Sequence, residues 1–338
     1  KNGLATVQYQ TGHVDYMDVA VRRAVLTGVN QTAGKLQVAR ADEMGVEFFE
    51  TTAHGGARPS HAEWQGRQFH RGGAVDYMGK HYPDFEAATG YGTGAGLCGW
   101  NCRHTFFSIF PELGPAPAWT QADLEALNAR DIEYNGGKYT RYEISQMQRA
   151  RERTVRKYKR RYLAEDAAGA DTTASAVKLR QARQELSDFI SATGGRADSA
   201  RTSVAGFGRS EAGKANYTAR KQERFDSANV ELQQMREAGT IKAKGKLIES
   251  PPAPNEINFA SEHVLQRWAE RGMGPMDAER IIRSSKVAMS QRNGTQTCYY
   301  SEYGFVAIGQ NGNVSSIGPL DEGGQKLMEV VKKHGIPH

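Results

Sequence analysis

The chain has 338 residues, of which 38% are hydrophobic, and a formal net charge of +6. That length exceeds one ordinary core and suits two or three domains, while a mean hydropathy of −0.64 leaves room for extended helix or linker. No run of about 18 apolar residues points to a membrane helix, three cysteines make no disulfide framework, and nothing resembles a signal peptide. The charge permits a polyanionic partner without requiring one. The first residue is Lys1 rather than Met, so the chain reads as a fragment or processed piece of a longer protein.

Met17, Val21, Ala24, Val25 and Val29 recur at helical spacing and predict one long helix over 14–44, stopped by Gly45. Residues 46–52 read as a strand leading into His54. The stretch 53–118 is rich in glycine and poor in periodic apolar positions, so aromatic anchors, backbone packing or a metal must hold it together. From 121 to 237 the pattern turns helical and charged. Its densest part, 149–161, sets eight basic residues (Arg149, Arg151, Arg153, Arg156, Lys157, Lys159, Arg160 and Arg161) against one acid, Glu152. A second helix is predicted over 174–193, a flexible Ser/Gly/Ala-rich connection over 192–215 and a short helix over 220–238.

Ser250-Pro-Pro-Ala-Pro254 interrupts both helix and sheet, because proline lacks the amide donor and restricts its predecessor. Helices over 261–271 and 276–284 follow, then short strands over 287–291, 295–301, 305–310 and 314–317. The turns between the strands carry Asn293-Gly294, Tyr303-Gly304 and Asn311-Gly312. These predict an antiparallel meander with helices on one face and a last helix over 323–334. The expected fold class is α+β in three domains, 1–120, 121–250 and 251–338, with a loop-rich first domain, a helical basic arm and a small C-terminal sheet packed on helices.

Cys98, Cys102 and His104 lie within seven residues, with His54 and His61 about forty residues upstream. Sulfur and imidazole ligands suit one structural zinc. The spacing is not that of a standard zinc finger. The competing reading makes the cysteines small buried hydrophobes and leaves the histidines bonded to backbone groups. An activated Cys–His pair is a third reading. Tyr91-Gly-Thr-Gly-Ala-Gly96 lacks the lysine of a phosphate loop and reads as a packed or flexible loop.

Four motifs occur in order: His54-Gly-Gly-Ala-Arg-Pro-Ser-His61-Ala-Glu-Trp-Gln-Gly66, Tyr82-Pro-Asp-Phe85, Thr89-Gly-Tyr-Gly-Thr-Gly94 and Gly96-Leu-Cys-Gly-Trp-Asn-Cys-Arg-His104. With Arg22 to Gly34 before them and Gln148-Arg-Ala-Arg-Glu-Arg153 after, they resemble the phage minor capsid protein 2 family over about residues 14–165. More distantly they are similar to the head-morphogenesis proteins typified by the F protein of phage Mu. The Asn-Cys-Arg-Cys motif of those proteins reads Asn101-Cys102-Arg103-His104 here, and exchange of one ligand type for another favours a metal. The resemblance implies a structural protein inside the phage head, with portal or capsid proteins as partners and the host cytoplasm as the place of assembly. The resemblance also implies an N-terminal helical region that contacts the portal, which the chain reads as lacking, in keeping with a fragment. In that setting the basic run 149–161 is expected to meet packaged DNA or host RNA through phosphates, in a salt-dependent way; the alternative is a solvated helix face.

The segment 256–338 resembles the barnase, EndoU, colicin and RelE-like nucleases found at the ends of phage head proteins. Metal-independent RNA cleavage needs a proton acceptor, a proton donor and cationic groups at the phosphate. His263, Arg267 and Arg271 share one helix face at i, i+4 and i+8, beside Glu270. Thr297, Tyr299, Ser301 and Ser316 offer hydroxyls. The rival class is a polymorphic toxin, with an immunity protein as partner and the capsid-like part as its delivery module.

Overall fold

The computed structural model describes residues 4–114, 116–254, 256–259 and 262–337, apart from the side chains of Glu262, His263 and Arg267. The chain divides into two compact units, 1–215 and 216–338.

In the first unit a hairpin of β1 (Thr6–Gln8) and β2 (Val14–Tyr16) leads into α1 (Met17–Glu43). The residues that α1 buries are Ala20, Thr27, Gly34 and Ala41, seven apart and all small. The larger apolar residues that signalled the helix, Val21, Val25, Val29 and Leu36, are exposed. A small-residue seam lets the helix backbone approach the loops beneath it. At Gly34 an added Cβ would stand 3.2 Å from Cys98 Sγ and from the Tyr91 ring.

Chain order continues with β3 (Phe48–Thr51), α2 (Pro59–Ala62), β4 (Gln68–His70), the hairpin of β5 (Val75–Tyr77) and β6 (Lys80–Tyr82), α3 (Phe85–Thr89) and β7 (Phe106–Ser108). β3 is central in an antiparallel sheet of order β4-β3-β7. Phe49, Phe85 and Phe106 pack with ring centres 4.9–5.1 Å apart. Aromatic anchors therefore hold the glycine-rich stretch together.

Beyond α4 (Gln121–Leu127) the expected helical run is broken by a hairpin, β8 (Ile132–Tyr134) and β9 (Gly137–Tyr139). Its turn is Asn135-Gly136, with φ of 46° and 77°, a two-residue turn whose signal lay in the sequence. A Thr140–Glu143 capping box starts α5 (Arg141–Ala167), which packs along α6 (Thr173–Thr193). The connection after α6 is packed: it contains α7 (Ser199–Thr202) and a buried Val204. α8 (Arg209–Glu237) starts eleven residues before the helix expected at 220.

The second unit is a five-stranded antiparallel sheet in chain order: β10 (Lys246–Glu249), β11 (Val287–Gln291), β12 (Gln296–Ser301), β13 (Gly304–Gly309) and β14 (Val314–Gly318). The helices are α9 (Glu262–Arg271), α10 (Pro275–Ser284) and α11 (Glu322–Lys333). The meander matches the expected one, but helices cover both faces. Val287, Met289, Cys298, Tyr300 and Ala307 share a core with Phe225 and Leu232 of α8 and Leu327 and Val331 of α11. Ala288, Tyr299, Val306, Ile308 and Ile317 pack with Val264 and Trp268 of α9 and Ile281 of α10. Strand runs such as Phe305-Val-Ala-Ile308 are apolar at every position, so neither face can be left to water. β10 and most of α8 belong to this unit's sheet and core.

Candidate metal centre and arginine cleft

His61 sits on α2, which begins at Pro59, a first-turn position where the missing amide donor costs nothing. Cys102 and His104 are brought to it by tight turns. Cys98 and Asn101 take φ of 60° and 55°. Gly96 lies against the Gly90 backbone and Gly99 against the Gly94 carbonyl, so closely that any side chain would collide. The run 91–96 is thus a packed turn, as its lack of a phosphate-loop lysine implies.

His61 Nδ1 and His104 Nδ1 stand 3.4 Å apart. Cys102 Sγ is 3.7 Å from the first and 3.6 Å from the second. Tetrahedral zinc, with bonds of about 2.0–2.1 Å to nitrogen and 2.3 Å to sulfur, needs vertices about 3.4 Å apart between nitrogens and about 3.6 Å between nitrogen and sulfur. The three atoms occupy three such vertices.

The second nitrogen of each ring is already committed. His61 Nε2 donates to the Ala95 carbonyl at 2.9 Å, and His104 Nε2 donates to Gln65 Oε1 at 3.0 Å. Gln65 Oε1 also accepts the His54 backbone N–H at 3.1 Å, which fixes the orientation of its amide. Both Nδ1 atoms are therefore lone pairs facing each other. One Cys102 thiol proton can serve only one of them. A cation satisfies all three atoms, and oxygen acceptors on the outer nitrogens are the usual support of ligating histidines. Burial pushes the His104 imidazole down to about 3 and also lowers His61, keeping both neutral, the form that binds metals. Burial raises the Cys102 thiol, a direction that a bound cation reverses. The His61, Cys102 and His104 group can thus hold a metal.

Two of the five expected ligands stand apart. Cys98 is 1% exposed, packs in the aromatic core and reaches only the His104 carbonyl, at 3.8 Å. Burial pushes its thiol up to about 12, so it acts as the small hydrophobe of the competing reading. His54 stacks on His104 with ring centres 4.2 Å apart and lies outside the three-atom group.

Beside this group a cavity of about 620 Å³ opens along α1 and α5. Seven arginines line it (Arg22, Arg23, Arg103, Arg149, Arg153, Arg156 and Arg201) with Asp18 and Glu152, and just outside it Asp198 pairs with Arg22 and Arg201 and Asp15 with Arg23. Arg149 Nε is buried without a hydrogen-bond partner, and burial with Arg201 and Arg103 nearby lowers its pKa. Arg103 lies between Cys102 and His104 in the chain and, with Arg149, also lines the smaller cavity over the histidines. The basic run does not act as one face. Arg149, Arg153 and Arg156 line the cleft. Arg151 lies 4.1 Å over the Phe189 ring, Lys159 donates to the Thr202 carbonyl, Arg160 is buried on Asp18, and Arg161 pairs with Glu165. Lys157 is exposed beside Tyr158. Helical periodicity applied to 149–161 separates these groups. Arg22, Arg23, Arg103 and Arg201 were missed because they come from three other segments.

In the second unit the side chains of His263 and Arg267 lie outside the described residues. Glu270 and Arg271 are exposed, and Arg271 donates to the Ile317 carbonyl. Tyr299 is 3% exposed and bonds the Pro252 carbonyl at 3.3 Å, while Ser301 accepts the Tyr303 backbone N–H. Thr297, Tyr299 and Ser301 alternate on the sheet face covered by α9 and α10. Ser316 pairs with Ala307 on the other face, so it is not brought to the rest. The ribonuclease and toxin reading gains no supporting observation among the described residues.

No helix among the described residues is long and apolar enough to cross a membrane. No curated protein and no solved structure matches the chain. The family model described as "Phage minor capsid protein 2" matches residues 1–191. That span takes in α1, the histidine and cysteine group and the basic helix in order, and it covers more than half of the sequence: this chain belongs to the phage minor capsid protein 2 family.

Proposed function

We propose that the chain is a minor structural component of the phage head, placed inside it near the portal or the packaged DNA, where its arginine cleft holds nucleic-acid phosphates. The observation that carries this reading is the cleft itself: seven guanidiniums and two carboxylates line about 620 Å³, and Arg103, Arg149, Arg153 and Arg156 stand outside the ion pairs that Arg22 and Arg201 make with Asp198 and Arg23 makes with Asp15. Arginine forks match phosphate oxygens bidentately. One structural zinc on His61, Cys102 and His104 holds the loop that presents Arg103. The exposed apolar residues of α1 supply contact area for portal or capsid proteins.

The test is binding of the full chain to double-stranded DNA by fluorescence anisotropy over a salt series. Affinity falls linearly on logarithmic axes, with a slope of about −0.9 for each phosphate neutralised. Replacing Arg103, Arg149 and Arg153 by Gln flattens that slope by about one unit per lost contact. Absence of salt-dependent binding, or a triple variant with the original slope, overturns the proposal.

A further inference from the structure

We infer that His54 is the fourth ligand, closing the site as three imidazoles and one thiolate; this rests on the zinc reading above. His54 Nδ1 donates to the Gly55 carbonyl at 3.1 Å, which leaves Nε2 as the lone-pair nitrogen. That Nε2 is buried and has no hydrogen-bond partner. A buried imidazole nitrogen without a partner is costly unless something occupies it. Its ring stacks on His104 and lines the same small cavity as His61 and Cys102. Among the described residues no carboxylate lines that cavity, and besides His61, Cys102 and His104 its lining offers one further zinc-ligating side chain, His54.

The assignment requires the His54 ring to turn out of its stack so that Nε2 takes the open vertex. On binding, Cys102 gives its thiol proton to solvent and the three imidazoles enter neutral. The site then has no position for water, which marks a structural rather than a catalytic zinc. His54 also couples the centre to β3, which ends three residues before it.

Cobalt(II) substitution of the full chain tests this. The wild type shows strong tetrahedral visible bands that added azide does not shift. His54→Ala lowers zinc affinity about tenfold or more and makes the cobalt bands respond to azide. A wild-type cobalt spectrum that already shifts with azide overturns the His54 assignment and leaves the zinc reading standing. So does a His54→Ala variant with unchanged affinity. Failure of the wild type to bind either metal overturns the zinc reading itself. The wild-type azide response decides the assignment even where His54→Ala does not fold.

Discussion

Arg160 of α5 grips Asp18 of α1 through both carboxylate oxygens, at 2.8 and 2.9 Å, with its guanidinium 3.7 Å over the Tyr16 ring. The arginine side chain is 5% exposed. A buried pair of this kind is costly to break, because one charge is left without its partner in a poorly solvating site. Asp18 is 26% exposed, so Arg160→Ala is expected to destabilise the chain by about 1.5–3 kcal/mol in chemical denaturation. Arg160→Lys recovers little of that, since an ammonium is more strongly hydrated and does not stack flat on the Tyr16 ring. A loss below about 1 kcal/mol for the alanine variant would place the pair among surface ion pairs.

The two cysteines near the metal group are expected to separate cleanly. Cys98→Ala keeps the metal, because Cys98 lies in the aromatic core and its sulfur is not among the three facing atoms. Cys102→Ala loses it. Metal content after dialysis measures both. In the wild type, zinc at one hundred times its dissociation constant adds about 2.7 kcal/mol of stability, seen as a raised Tm that a chelator reverses. Equal metal loss in the two variants contradicts the assignment.

Much of this arrangement was legible in the residues themselves. The meander of the second unit follows from its Asn-Gly turns, and the long helices from their apolar repeats. The face of α1 was not legible. Val21, Val25 and Val29 gave the period, yet the helix buries Ala20, Thr27, Gly34 and Ala41, since close backbone approach rewards small residues over large ones. The metal group was half legible. Ligand chemistry selects Cys98 and Cys102 equally, and only the left-handed turns at Cys98 and Asn101 turn one sulfur into the core and the other toward the histidines. The arginine cleft draws on four segments, and no local pattern shows which charges meet.

The second unit is expected to leave RNA intact. Tyr299 is enclosed and its hydroxyl is spent on the Pro252 carbonyl, while Ser316 lies across the sheet from it. Incubating the full chain with total and transfer RNA at pH 5–8 in EDTA should give no fragments. Cleavage that disappears in His263→Ala would restore the ribonuclease reading.

Lys159 makes the stability of the chain depend on alkaline pH. Burial, reinforced by Arg183 and Arg156, lowers its ammonium from an ordinary 10.5 to about 8. Its Nζ donates to the Thr202 carbonyl at 2.6 Å, and the charge sits 5.4 Å from the Phe207 ring centre. Below about pH 8 the folded chain bears the full cost of that buried charge. Between about 8 and 10.5 the folded group has lost its proton while the unfolded one keeps it, so stability rises with pH across that window. Lys159→Met removes the titration and leaves other ionisable groups in place. The stability of the variant minus that of the wild type should therefore stay level from pH 7 to about 8 and then fall toward pH 10 in urea melts. A difference that stays flat over that range would show that the ammonium is solvated in the folded chain.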